Sequence, residues 1–334
     1  LGHSKNVAFK KYIPVEGITR VLGKLLARLR NRRQSFAHEL AVCAIFKDEA
    51  RYLDEWLRFH HGVGVDHFYL YNNNSSDDFR DVLAPWRERG LVTLIEWPIN
   101  GQQREAYVNC ILHFRNHCRW IAFIDLDEFL FSPEDLDLRQ VLARYKDVSA
   151  IFVYWVLFGA NGHHKRPAGS TIEAYTRSLD KESAINDRFV HDRRQRGKRS
   201  QDFVTGWAQD GKSIVNPRLV RWYTIHKPRA LWLGELVDEN RLPPQQREPG
   251  APISYSILRI NHYWSRSIQD LTEKVEKGIV NFKKQPEVLL ETWLAREREL
   301  NTQDDRVILP TWQAVKLAEA AYRKTESEGA SGHA

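Results

Sequence analysis

From residue 40 to residue 124 short apolar runs alternate with amphipathic stretches, and this alternation restricts the fold more than any other feature of the chain. L-A-V-C-A-I-F, H-F-Y-L-Y, L-V-T-L-I-E-W and W-I-A-F-I read as strands. Leu53, Trp56, Leu57 and His60 mark an intervening helix stopped by Gly62. Phe79, Val82, Leu83 and Trp86 mark a second, and Ala106, Tyr107, Cys110, Ile111 and Phe114 a third. A β-α-β-α-β-α-β order implies an α/β fold with a mostly parallel sheet flanked by helices. Ligands on such sheets sit beyond the carboxyl ends of the strands.

The last of these strands runs directly into I-D-L-D-E-F. Asp125 and Asp127 are two residues apart, so extended backbone sends both carboxylates from one face, where they can share a cation. Hard divalent ions such as Mg²⁺ and Mn²⁺ take carboxylate oxygens and bridge to phosphates. The alternative is that D-L-D-E-F only begins a loop; its place at a strand end favours the metal. A phosphatase D-x-D-x-T/V motif is disfavoured by Phe129, and Glu128 is read as the start of the next turn. Cys110, His113, His117 and Cys118 resemble a zinc set, but they are read along one helix, which cannot wrap four ligands tetrahedrally. The ends of the first two strands, F-K-D-E-A and Y-N-N-N-S-S-D-D, carry Asp48, Asn73 and Asp77, which serve equally as caps, turn residues or ligand contacts.

Downstream, a helix is expected near residues 138–145 and a strand at I-F-V-Y-W-V-L-F. Residues 181–212 read as a polar loop with a basic run, Arg193, Arg194, Arg196, Lys198 and Arg199. Strands return at L-V-R-W-Y-T-I-H, R-A-L-W-L-G-E-L-V and S-I-L-R-I-N-H-Y-W, and from Ser267 the pattern is helical. Residues 17–33 form a basic amphipathic helix that can lie on an anionic membrane or pack on the domain. The expected organisation is a basic arm over residues 1–36, a catalytic domain over 37–265 and a helical extension over 266–334. A net charge of +7 favours anionic partners. Three cysteines without a C-x-x-C fit a reducing, cytoplasmic setting, peripheral on the inner membrane at most.

K-D-E-A-R-Y-L-D-E-W-L-R-F-H, G-V-D-H-F-Y-L-Y-N-N-N-S-S-D, Q-R-E-A-Y-V-N-C, I-D-L-D-E-F, W-V-L-F-G-A-N-G-H, K-S-I-V-N-P and R-I-N-H-Y-W occur in this order. Together they resemble the glycosyltransferases of family 92, related to family 2, which have a GT-A (Rossmann-like) fold. The resemblance implies inverting, metal-dependent transfer of a sugar, often galactose, from a UDP-sugar to a glycan or glycoconjugate hydroxyl, with Mn²⁺ or Mg²⁺ as cofactor. It implies metal ligands at Asp125, Asp127 and His262, the last otherwise a core histidine. Nucleotide contacts are expected from Lys47, Asp48, Asn73, Asp77, Gln103, Asp125 and Lys212, with Arg218 adding charge at the diphosphate. Relatives often carry aspartate where this chain has Asn73. For the catalytic base the candidates are Glu235 and Asp238, which are otherwise hairpin residues. Two rivals stand beside this reading. A nucleotidyltransferase would need a glycine-rich phosphate loop, and a nucleic-acid-binding protein would need aromatics interleaved with its basic run; both features are missing.

Overall fold

The computed structural model describes residues 35–180, 210–244, 253–277 and 286–331. The basic arm of residues 17–33 and the basic run of residues 193–199 therefore lie outside the described residues. The first half alternates as expected: β1 (His38–Phe46), α1 (Ala50–Gly62), β2 (His67–Asn72), α2 (Phe79–Glu88), β3 (Val92–Glu96), α3 (Gln103–Phe114), β4 (Cys118–Phe123) and β5 (Glu128–Phe131). Then come α4 (Leu138–Leu142), β6 (Ala150–Leu157), α5 (Thr171–Ala174), β7 (Arg177–Ser178), β8 (Gly211–Val215), β9 (Val220–Tyr223), β10 (Pro228–Leu231), β11 (Leu236–Val237) and β12 (Arg259–His262). The chain continues through α6 (Ile268–Glu276), α7 (Pro286–Glu297), β13 (Gln303–Asp304) and α8 (Leu309–Ser331).

Nine strands form one sheet in the order β3-β2-β1-β4-β8-β6-β12-β5, with β11 beside β6. All but β8 and β5 run in the same direction. The fold is thus the mainly parallel α/β sheet expected. Period-two alternation along β1 explains why both faces are covered. Leu40, Val42, Ala44 and Phe46 pack with α1 and α2, whereas Ala41 and Cys43 pack against Ala106, Tyr107, Cys110 and Ile111 of α3.

Two local expectations change. Cys118 begins β4 and does not continue α3, because His38 and Cys118 pair across the sheet. Glu128 opens β5 and does not begin a turn, because β5 adds antiparallel to β12 in the register His262 opposite Glu128. Helix α6, which follows residue 265, lines the same cavity as the end of β1 and the turn after β4.

Helix α1 locks β5 in place. The Trp56 indole N–H donates to the Glu128 carbonyl at 2.9 Å, and the Leu130 N–H donates to His60 Nε2 at 3.1 Å. His60 Nδ1 sits 2.8 Å from the Trp56 carbonyl, so the neutral tautomer carrying its proton on Nδ1 satisfies both contacts. Burial pushes the His60 pKa down from 6.5 to about 3, against the Trp56 hydrogen bond, which raises it.

The depressed value means that the unfolded chain binds a proton below pH 6.5 that the folded chain refuses until about 3. Stability should therefore fall through that window by up to about 1.4 kcal/mol per pH unit. His60→Phe should lose roughly 1 to 3 kcal/mol near neutrality through the orphaned Leu130 N–H, and its acid slope should be shallower. Urea unfolding of both proteins at a series of pH values measures the two effects, and identical slopes would discard the linkage.

Candidate active site

Strand β4 ends at Phe123, and the chain reverses through Ile124, Asp125, Leu126 and Asp127 into β5. Asp125 and Asp127 are thereby delivered to the carboxyl edge of the sheet. Both line a cavity of about 360 Å³.

Both carboxylate oxygens of Asp125 are engaged. Its Oδ1 accepts from Gln103 Nε2 at 2.7 Å and the Tyr107 hydroxyl at 2.9 Å, and its Oδ2 accepts from Lys212 Nζ at 2.8 Å. Lys212 is 1% exposed. It reaches this depth because Gly211 precedes it: a Cβ on Gly211 would stand 2.1 Å from the Val153 carbonyl oxygen, so only glycine lets β8 press this closely on β6. Burial opposes ionisation of Asp125, but Lys212 outweighs it and holds the carboxyl below its ordinary range. The same pairing, with Glu128, raises the Lys212 pKa against burial.

Asp127 faces the other way. Its Oδ2 accepts from Lys274 Nζ of α6 at 2.8 Å, and its Oδ1 lies 3.5 Å from His262 Nε2. Lys274 also donates to the Trp264 carbonyl at 3.2 Å. Burial works against the charge here too, yet Lys274 and His262 hold Asp127 well below the usual carboxylate value. Glu128 is fully buried, and burial together with Asp125 and Asp127 drives its pKa well above the ordinary value despite Lys212. One Glu128 oxygen accepts the Asp125 N–H at 2.9 Å. The other, Oε1, and His262 Nδ1 have no hydrogen-bond partner and lie 3.9 Å apart.

Ligand atoms of Asp127, Glu128 and His262 all fall within 4.8 Å of one another, and this is the one such cluster among the described residues. Two carboxylates and an imidazole, with a buried carboxylate oxygen and a ring nitrogen unsatisfied, form a donor set that fits a divalent cation such as Mn²⁺. Asp127 and His262 were anticipated as ligands; Asp125 is instead engaged by Lys212, Gln103 and Tyr107. Glu128 was missed, and the signal for it was tertiary, its antiparallel pairing opposite His262.

Lys47, Asp48, Asn73 and Gln103 line the cavity. Asn73 Nδ2 donates to the Trp97 and Ile99 carbonyls, and Asp48 accepts from the Ser76 N–H, so both are partly spent on loop architecture. Asp77 is turned away, because its Oδ2 accepts the Ala50 N–H at 2.7 Å and caps α1.

The two residues anticipated as the base, Glu235 and Asp238, lie away from the carboxylate cluster. Glu235 immediately precedes β11, which pairs with Ala150 and Ile151 at the beginning of β6, whereas His262 pairs with Leu157 at its end. That separation is about 23 Å at ~3.3 Å per residue. Asp238 is fully buried and its Oδ1 accepts the N–H groups of Asn240 and Leu242, closing a turn. Arg218 belongs to the same far edge, next to Asn216 and Leu219, which follow the β8 residue opposite Ala150.

Sequence reasoning also missed the cations supplied by α6 and the segment before it. Asp270, Glu273, Lys274 and Lys277 recur at helical spacing and all line the cavity, as do Arg166 and Arg266. Arg266 is buried over the Tyr52 ring, 3.4 Å from its centroid, and donates to Glu49 and to the Leu126 carbonyl.

A family model described as glycosyltransferase family 92 matches residues 38–298, across the whole site. The chain belongs to glycosyltransferase family 92. It is 26% identical over 247 residues to a glycosyltransferase family 92 protein of Oryza sativa subsp. japonica, covering 67% of this chain and 41% of that relative. A galactan beta-1,4-galactosyltransferase of Arabidopsis thaliana is 29% identical over 101 residues, covering 27% of this chain and 20% of the relative. The chain thus spans less than half the length of these relatives. Among solved structures it is similar to S. aureus TarS 1-349 in complex with UDP, at a TM-score of 0.37 and 12% identity over 77% of this chain and 71% of that one. The fold itself is read from the strand order above.

Because the folded Asp127 pKa is depressed, its contribution to stability is present above the unfolded value of 3.8 and is lost as pH falls through the folded value. Asp127→Asn should therefore be less stable than the native chain at neutral pH, with the gap closing in acid below about 3.8. Chemical denaturation across the acid range would detect this, and a gap that widened in acid would refute the pairing with Lys274.

Proposed function

We propose that this chain is an inverting, divalent-metal-dependent glycosyltransferase that moves a hexose, galactose in the first instance, from a UDP-sugar to a glycan hydroxyl. The observation that carries the reading is the cluster of Asp127, Glu128 and His262 at the carboxyl edge of the sheet, beside a cavity lined with Lys47, Arg166, Arg266, Lys274 and Lys277. Family membership supports sugar transfer over the rival nucleotidyltransferase reading. The name of the Arabidopsis relative supports galactose.

In this reading Asp127, Glu128 and His262 would hold Mn²⁺ or Mg²⁺. When bound, such an ion supplies positive charge against the charge that develops on a departing diphosphate. Lys274 of α6 and Lys277, which follows it, line the cavity and add to that field. Gln103 and Lys212 fix Asp125, whose remaining exposure faces the cavity and suits a ribose hydroxyl.

Inversion requires a base on the acceptor side, and α6 supplies a replacement for Glu235 and Asp238. Asp270 is consumed by Tyr52, Arg166 and its own capping box at Ser267. Glu273 keeps a partly exposed carboxylate in the cavity, held by Arg166 at 2.7 Å and Gln269 at 3.1 Å. Glu273 is the base in this proposal. Contact with a membrane through residues 17–33 is a separate proposal. Among the described residues no helix is long and apolar enough to cross a bilayer.

A donor screen following UDP release with Mn²⁺ tests the reaction. Asp127→Ala or a chelator should cut turnover by roughly 10² to 10³. Glu128→Gln should weaken Mn²⁺ binding, read by calorimetry, by roughly 10- to 100-fold, the range found even for residues one step from a metal. Glu273→Gln should lower kcat by about 10² to 10⁴ while UDP affinity holds. Release that ignores both chelator and Asp127→Ala would remove the metal from the proposal.

A further inference from the structure

Residues 211–234 contain Lys212, Arg218, Arg221, Lys227 and Arg229 and no aspartate or glutamate. This stretch supplies β8 and the hairpin of β9 and β10. Lys212 is taken by Asp125, and the Arg218 carbonyl accepts from Arg115. Arg221, Lys227 and Arg229 make no ion pair among the described residues. Exposed arginines elsewhere are held: Arg80, Arg139, Arg144 and Arg306 each meet a carboxylate at 2.7 to 2.9 Å. The same hairpin presents two large aromatic groups, Trp222 at 45% and Trp232 at 58% exposure. Arg104 stands 5.7 Å from the Trp222 ring centroid, and Arg221 stands 4.9 Å from that of Trp232. Tryptophan and arginine set side by side are the residues that most often dominate a binding surface.

The hairpin is built onto the candidate active site. The Tyr223 ring packs 6.1 Å from Tyr107 and 4.5 Å from Phe123, and the Tyr107 hydroxyl holds Asp125. Arg104 follows Gln103, which lines the cavity and also donates to Asp125. At the hairpin turn the Thr224 N–H donates to the Lys227 carbonyl at 3.0 Å, and Ser213, next to Lys212, donates its hydroxyl to the His226 carbonyl at 2.9 Å. Trp222 therefore stands at the end of β9 nearest the Asp125 wall. Trp232 donates its N–H to the Leu219 carbonyl, three residues back along the chain from Trp222, or ~10 Å in extended backbone.

We propose that this hairpin holds the acceptor, and that the acceptor is an acidic glycan whose sugars carry carboxylates. On the glycosyltransferase reading of the cavity, on which this assignment rests, one end of the acceptor lies beside Asp125 and the rest of its chain leaves across the protein surface. Trp222 and Trp232 offer flat apolar surfaces to the C–H faces of successive sugars. Arg221 and Arg229 offer planar forks that match carboxylates, and Lys227 adds charge at the turn. A neutral glycan would use the indoles and leave these cations without a partner. The closed turn and the pairing of β9 with β10 hold the groups in place before a ligand arrives. Anionic lipid headgroups would also answer such a surface, but its continuity with the Asp125 wall favours a ligand that has to reach the reacting centre.

Calorimetry on the full chain tests this, with tetragalacturonate and tetramannuronate as acidic probes and β-1,4-galactotetraose as the neutral one. An acidic probe should bind roughly tenfold or more tighter than the neutral one at low ionic strength, and added salt should shrink the advantage. Arg221→Ala combined with Arg229→Ala, both exposed, should remove that advantage, whereas Trp222→Ala should weaken acidic and neutral probes alike by several-fold. Equal affinity for acidic and neutral probes, or no binding of either, overturns the proposal, as does an acidic preference that survives the double arginine change. Sedimentation with phosphatidylcholine vesicles containing phosphatidylserine, lost in the double variant and unaccompanied by oligosaccharide binding, also overturns it and identifies a membrane surface instead. Acidic-probe binding that needs both arginines, in a chain that releases no UDP from any donor, would sink the proposed reaction and leave the surface standing. UDP release stimulated alike by acidic and neutral oligosaccharides would sink the acceptor surface alone.

Discussion

An ammonium group has been taken almost wholly out of water at Lys212, and the rest of the site is arranged around that fact. Desolvating a charge costs several kcal/mol unless close partners offset it. Asp125 at 2.8 Å and Glu128 at 3.8 Å are those partners. To bring them there, β8 must run against the direction of β4 and β6, and Gly211 must allow the strands to touch. Three carboxylates can then crowd one turn, because each has a nearby cation or holds its proton. Asp125 has Lys212, Asp127 has Lys274, and Glu128 is left as the group whose ionisation is most strongly resisted.

The site is closed from the far end of the chain. Helix α6 begins with a capping box at Ser267 and Asp270, and its buried residues Leu271 and Val275 hold it against the sheet. That leaves its charged stripe facing inward over the ligand edge. The two ends of the α/β domain thus meet at one cavity, lined by the end of β1 and the turn after β4 on one side and by α6 with Arg166 on the other.

Much of this was legible from the residues. The alternation between residues 40 and 124 implied the parallel sheet, and the carboxylates Asp125 and Asp127 fell at its ligand edge because periodicity alone locates a strand end. Glu128 escaped, since only the pairing of β5 with β12 turns an apparent loop residue into the partner of His262. The misplacement of Glu235 came from treating nearness in sequence to the late histidine as nearness in space; β11 returns to the wrong end of β6. The stripe at Asp270, Glu273, Lys274 and Lys277 was visible as a pattern. Charged helical faces usually look toward solvent, though, and nothing local says what α6 covers.

Glu128 belongs to two systems at once. Its main-chain carbonyl receives the Trp56 indole from α1, while its carboxylate sits among the ligand atoms. Core packing and chemistry therefore share one residue and cannot drift apart independently. A substitution deep in α1 that shifts β5 by a fraction of an ångström would displace a candidate ligand while leaving every residue that lines the cavity unchanged. Variation in α1 is in this sense filtered twice, once for folding and once for the position of Glu128.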